Sequence, residues 1–183
     1  MLKVVLIRHS EADYSFVRAN KYIGHGLDLA QLTENGIQIA EAASLDSRLD
    51  GADIIVSSPY TRALQTAAII SKNRRLDIKV ELDLHEWMPD LSFGFADKET
   101  ADNAVSLFMQ NKGLCPQDSE VKYENIDDLF SRAKKALLKY MEYNKVIVVT
   151  HGMLMHRFVT TQNIPFCGIY EIDFDGSYTC RRF

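Results

Sequence analysis

The sequence predicts a three-layer α/β/α fold: a mostly parallel central sheet of about six strands with helices on both faces. Three observations carry that expectation. Leu2, Val4, Val5, Leu6 and Ile7 form a nearly unbroken apolar run, the pattern of a strand buried on both faces, as in parallel sheets. Shorter runs of the same kind recur at 53–56 and 145–149, and 78–82 reads as a further strand. Helical stretches separate them, so strand and helix alternate along the chain.

The first strand cannot easily continue into Arg8-His9-Ser10. The chain must leave the sheet there, carrying two side chains that bind anions or move protons. Ligands of open α/β sheets sit outside the carboxyl ends of the strands, and Arg8 and His9 occupy that position. Residues 10–32 are polar and aromatic and read as a long loop with a helical turn at the same end. Long loops in compact domains are usually functional, which makes Tyr14, Arg18 and Lys21 candidates for contacting substrate.

Thr33 reads as the N-cap of a helix to about Leu49, with Ile37, Ala40 and Ala43 facing inward and Gly51 as its stop. Asp53–Val56 is the second strand. Ser57-Ser58-Pro59 follows, with Ser58 suited to an N-cap and Pro59 to the first position of a helix running to about Ser71. Arg62 falls one turn inside, near the positive helix end, where an added arginine makes an anion site.

The third strand, 78–82, is followed at once by His85-Glu86-Trp87. Residues 88–97, with Pro89, Asp90, Gly94 and Phe95, read as loop, 98–111 as a helix, and the stretch around Gly113 and Pro116 as loop again. Ile126, Leu129, Phe130, Ala133, Leu137, Tyr140 and Met141 share one helical face. The fourth strand, Lys145–Val149, ends at Thr150-His151-Gly152 and leads into a helix from Met153 to about Thr161. Two strands near 168–174 and 177–182 close the chain around Asp175-Gly176, a hairpin signal.

Composition narrows the function. The 183 residues suggest one domain, 1–183, with an inserted cap-like segment near 88–124. A net charge of −4 gives no general attraction to nucleic acid or to an acidic membrane, so any anion site must be local. No window approaches the roughly 18 apolar residues of a membrane span. Cys115, Cys167 and Cys180 have no paired spacing and read as reduced thiols. The first residues carry no signal-peptide pattern, so a cytoplasmic protein is expected. His25, His85 and His156 lack metal-ligand spacing, and no metal or cofactor is expected.

Arg8, His9, Arg62, Glu86 and His151 each follow a predicted strand, so a parallel sheet would gather them on one rim. Two arginines and two histidines would repel there unless an anion neutralised them. A phosphoryl group fits. Arginine offers a planar fork to its oxygens, an unprotonated imidazole can attack phosphorus, and a carboxylic acid can protonate the leaving oxygen.

These residues also carry a resemblance. Leu6-Ile7-Arg8-His9-Ser10-Glu11 resembles the Arg-His-Gly signature of the histidine phosphatase superfamily, the phosphoglycerate mutase-like fold. Leu32-Thr33-Glu34-Asn35-Gly36 is similar to that family's Leu-Thr-x-x-Gly helix start. The run Ser57-Ser58-Pro59-Tyr60-Thr61-Arg62-Ala63-Leu64-Gln65-Thr66-Ala67 matches its Ser-Ser-Pro-x-x-Arg-Ala-x-Gln-Thr-Ala motif, and Thr150-His151-Gly152 resembles its second His-Gly. The resemblance implies that His9 is the nucleophile that carries the phosphoryl group. Arg8, Arg62 and His151 would hold its oxygens, and Glu86 would be the acid, with Asp90 in reserve. It implies metal-independent hydrolysis of a small phosphorylated metabolite. Phosphoglycerate mutase-type transfer is the main rival, and the short chain with its closing hairpin is expected to favour hydrolysis. A phosphohistidine-protein phosphatase is a further rival, disfavoured by Glu86 and the 88–124 insert.

Two positions depart from the family pattern. Ser10 replaces a glycine, where its side chain would either crowd the phosphate or donate a hydrogen bond to it. The crowding case keeps open a non-catalytic phosphate-ligand binding module. Glu86-Trp87-Met88-Pro89-Asp90 breaks the family's Glu-x-x-x-Gly-x-x-Glu-Gly run.

Overall fold

A computed structural model describes residues 1–94 and 98–180. In chain order the strands are β1 (Leu2–Arg8), β2 (Ala12–Asp13), β3 (Gln31–Leu32), β4 (Ile54–Ser57), β5 (Ile78–Val80), β6 (Lys145–Thr150) and β7 (Ile169–Phe174). The helices are α1 (Ser15–Ala19), α2 (Glu34–Ala43), α3 (Thr61–Arg74), α4 (Lys98–Gln110), α5 (Ile126–Leu138) and α6 (Gly152–Met155), with 3-10 turns at Gly24–Leu29, Ser47–Leu49 and Leu82–Leu84. The central sheet has five strands in the order β5-β4-β6-β1-β7, and β2 and β3 pair separately. All central pairings are parallel except β1 with β7.

Alternation along the strands divides the core into two layers, as expected of a sheet covered on both sides. Leu2, Val4, Leu6, Val56, Val146 and Val148 face one cluster with Trp87, Phe108, Leu129 and Leu154. Val5, Ile7, Ile55, Ile147 and Val149 face the other with Leu49, Ala63, Ala67 and Ile70. Helices α4, α5 and α6 therefore cover one face, and α3 covers the other.

Register sets the rim. Arg8 lies opposite Thr150 across β1 and β6, and Ser57 lies opposite Val149 across β4 and β6. The next residue on each strand is then side by side: His9 N–H donates to Thr150 O at 2.8 Å, and Ser58 N–H donates to Val149 O at 3.0 Å. β5 ends level with them, Val80 opposite Ser57.

Several local expectations are corrected. The sheet has five strands where about six were expected, because the chain does not pair back after Asp175-Gly176. Over 177–180 it crosses instead to the helical layer, where Tyr178 donates its hydroxyl to Phe158 O and packs on Phe158 and Phe174. Residues 181 and 182 of that expected strand, and Phe95 of the expected loop, lie outside the described residues. Helix α2 stops at Ala43, not near Leu49, and buries Gly36 and Ala40 while Ile37 is exposed. The inward place of Gly36 reflects a close approach: a Cβ on Gly36 would collide with the Glu11 carbonyl oxygen. Helix α3 starts at Thr61 rather than Pro59. Ser58 precedes a proline and stays out of the α region, and Tyr60 is still extended, at φ −68°, ψ 137°. The helix expected from Met153 to Thr161 is the four-residue α6. Beyond it the bonds are mixed: Arg157 N–H to Leu154 O and Phe158 N–H to Met155 O are i→i−3, and Val159 N–H to Met155 O is i→i−4. The β-branched Val159-Thr160-Thr161 then gives little support for more turns. Helix α5 ends at Leu138, leaving Met141 partly exposed.

Candidate active site

The carboxyl ends of β1, β4 and β6 bring Arg8, His9, Arg62 and His151 together. The rings of His9 and His151 lie 5.1 Å apart. His9 is buried, and its tautomer is constrained from both sides. Its Nδ1 lies 2.7 Å from Ser10 O, which can only accept. Its Nε2 lies 3.3 Å from Arg62 Nε, which can only donate. The ring proton therefore sits on Nδ1 and the Nε2 lone pair is kept. Burial, then Arg62 beside it, push the His9 pKa down to about 3.

His151 is buried, and burial with the nearby Arg62 holds its pKa well below the ordinary imidazole value. Its Nε2 meets Ser58 Oγ at 2.7 Å. Tyr60 N–H donates to that same oxygen at 3.4 Å. The hydroxyl is thus free to donate to Nε2, which leaves the His151 proton on Nδ1. That nitrogen is buried without a partner, and so is Nε of Arg8. An unsatisfied buried donor is costly, and here two sit in one small cationic cluster. Arg8 is otherwise fixed by a 2.6 Å bond from Nη1 to Ile164 O and by Phe166, whose ring centre lies 4.6 Å from its Cζ.

Ser10 settles differently from either expectation. Its hydroxyl donates to Gly36 O at 2.6 Å, and its N–H donates to Thr66 Oγ1, which donates in turn to Arg62 O. The side chain ties the end of β1 to α2, with its hydroxyl proton committed to Gly36 O. Glu11 does similar work. Its carboxylate accepts from Thr33 Oγ1 and Asn35 Nδ2, while Thr33 Oγ1 accepts from Gly36 N–H as the α2 N-cap.

Glu86 stands beside this cluster, on the wall of a cleft of about 890 Å³ that Arg62 and Tyr60 also line. Its carboxylate accepts backbone N–H bonds from Trp87 at 2.9 Å and from Met153 and Leu154 at 3.2 Å. These bonds favour the anion, but burial outweighs them and raises the Glu86 pKa. Tyr14, Arg18 and Lys21 line the same cleft, as does Asp90. Asp90 also holds its own turn, accepting from Ser92 N–H and Gly94 N–H.

Three groups at or behind the site escaped the sequence. Asp28 lies 3.5 Å from Arg62 Nη1 and 3.1 Å from His25 Nδ1, and burial raises its pKa. Nothing in its loop distinguished it from solvated acids. The buried Glu124 and Arg132 support Glu86. Arg132 uses all five N–H groups: Nε and Nη2 hold the Glu124 carboxylate, Nη1 bonds Asp83 O and His85 O, and Nη2 also bonds Glu86 O. Trp87 adds a bond from Nε1 to Glu124 O at 2.7 Å. Only the helical spacing of α5 was legible there, and it pointed to packing.

Comparison with known proteins agrees with this geometry. Residues 4–175 match the family model of the histidine phosphatase superfamily (branch 1). The chain is 29% identical over 162 residues to 2-carboxy-D-arabinitol-1-phosphatase of Triticum aestivum, a match covering 87% of this chain but 32% of that protein. It is 27% identical over 195 residues to the protein named probable phosphoglycerate mutase GpmB of Proteus mirabilis, covering 97% of this chain and 87% of the relative. Among solved structures, mycobacterial glucosyl-3-phosphoglycerate phosphatase in complex with VO3 superposes with a TM-score of 0.72 at 18% identity, covering 94% of this chain and 91% of that one. Bacillus stearothermophilus YhfR gives 0.70 at 20% identity, covering 100% and 95%. From the strand ends to the family match over residues 4–175, the chain belongs to the histidine phosphatase superfamily, branch 1.

Proposed function

We propose that the protein is a phosphatase that hydrolyses a small phosphomonoester through a phosphohistidine on His9. One observation carries the reading: a neutral His9 keeps its Nε2 lone pair in a buried cationic cluster that holds two unsatisfied donors. In the first step Nε2 attacks phosphorus, the ester P–O bond breaks, and protonated Glu86 gives its proton to the leaving oxygen. In the second, water attacks phosphorus, the Glu86 carboxylate takes the water proton, the P–Nε2 bond breaks to return the lone pair to His9, and inorganic phosphate leaves. Arg8, Arg62 and His151 Nδ1–H bind the three equatorial oxygens as charge spreads over them. The phosphatase names of several relatives favour the same reaction.

The direct test is hydrolysis of p-nitrophenyl phosphate with a chelator present, and rapid quenching for acid-labile phosphate on the protein. Turnover with transient label supports the reading. Label that forms without release except to a second phosphate ester identifies a mutase, and no label with no turnover rejects both.

Glu86→Gln keeps the shape but cannot give a proton. Turnover of an alkyl phosphate is expected to fall about 10²-fold or more, with a smaller loss on p-nitrophenyl phosphate, whose leaving group needs little help. Equal losses on both esters would reject Glu86 as the acid.

The pH profile follows from His9. With its pKa held at about 3, far below the ordinary 6.5, the nucleophile stays unprotonated as pH falls through neutrality. The acid limb of kcat/KM is therefore expected below about pH 5. Loss of the Glu86 proton sets the alkaline limb. A profile collapsing near the ordinary imidazole value would contradict this state of His9.

A further inference from the structure

We propose that the alcohol half of the substrate is a large, mainly apolar group rather than a triose or sugar; this rests on the phosphatase reading above. The cleft beside the cationic cluster is about 890 Å³, near the top of the roughly 300–1,000 Å³ that suits drug-sized ligands. A phosphoryl group with a three-carbon alcohol would leave most of it unfilled. Ile23, Leu27, Trp87, Met88, Phe93 and Met153 give it a broad apolar wall, beside polar groups that include Tyr14, His25 and Tyr60.

Helix α4 makes the same point by its two faces. Ala104 and Phe108 turn into the core. Lys98, Ala101 and Val105, spaced three and four apart, turn to the cleft. Two of those three positions offer only methyl groups, where a hydroxylated ligand would need donors. Besides Glu86, the wall carboxylates are already engaged, Asp28 with Arg62 and His25, and Asp90 with its own turn. Arg18, Lys21 and Lys98 are the wall cations away from the cluster that could instead reward a distal acid, so an acidic ester belongs in the test.

The test compares kcat/KM for propyl, hexyl and glycerol 1-phosphates and 3-phosphoglycerate, with p-nitrophenyl phosphate as the activated control. The two unbranched alcohols are equally poor leaving groups, so their difference reports the cleft. Each buried methylene is expected to give about fourfold, so hexyl phosphate should exceed propyl phosphate by more than about tenfold, mostly through KM. Ala101→Asp is expected to shrink that hexyl-to-propyl ratio by about tenfold, whatever it does to absolute rates. Glycerol 1-phosphate or 3-phosphoglycerate turning over faster than hexyl phosphate, or no gain with chain length, would overturn this inference and leave the phosphatase reading intact. Failure to hydrolyse any of these esters, p-nitrophenyl phosphate included, would overturn the phosphatase reading and this inference with it.

Discussion

His9→Asn is expected to lower kcat on the order of 10⁶-fold, the scale of loss when a covalent nucleophile is removed. Asparagine is neutral and polar, and its amide can still donate to Ser10 O, so the local frame survives. What disappears is the Nε2 lone pair that Arg62 Nε–H now faces at 3.3 Å. The acid-labile phosphate trapped by quenching should vanish together with turnover. Phosphate binding should not, because Arg8, Arg62 and His151 remain. Inorganic phosphate is therefore expected to raise the thermal midpoint of the variant as it does the parent. That second measurement separates a lost nucleophile from a lost fold. Turnover within about tenfold of the parent would remove His9 from the mechanism.

The layout was legible in the sequence because it rests on strong local signals. Three buried strands, β1, β4 and β6, announced themselves by apolar runs, and each was followed directly by a residue too polar to stay in a sheet. The β1–β6 register then put the residues after those runs next to each other. The ends of α2, α3 and α6 were not legible, because tertiary demands decide them. Ser44, just past α2, is held by Asn73 and Arg74 of α3, Ser58 meets His151, and β-branched residues follow α6. The last strand was overcalled for a similar reason. Asp175-Gly176 does turn the chain, but Tyr178 finds a better partner in Phe158 than a strand would provide.

Within the site, chemistry that sits on motifs was legible and chemistry that depends on long-range closure was not. Ser10 looked like a direct modification of the anion pocket, yet its hydroxyl is used on Gly36 O, 26 residues away in sequence. Glu86 was found as a carboxylate past a strand. The grip of Arg132 on the three carbonyls around it comes from an α5 side chain 46 residues on, with no periodic signature of its own. Asp28 is the same kind of miss, since its meaning depends wholly on Arg62.

Arg62→Ala is expected to cut kcat/KM by about 10³–10⁵, the worth of an arginine that gathers transition-state charge on a phosphoryl group. The side chain is buried, 6% exposed, so its charge acts at low local dielectric. It also acts on the nucleophile. After burial, Arg62 is the largest cause of the low His9 pKa, so its removal should let that pKa climb part of the way back toward 6.5. The acid limb of the residual activity should move up in pH accordingly. Arg62→Lys keeps a cation but loses the planar fork, so it should hold the limb near its parental position while losing about 10²-fold or more in rate. Rate and limb therefore separate the two duties of one guanidinium. Alanine leaving both unchanged would mean that Arg62 merely neutralises Asp28, and the phosphate would then have to be held from the β1–β6 side, by Arg8 and His151.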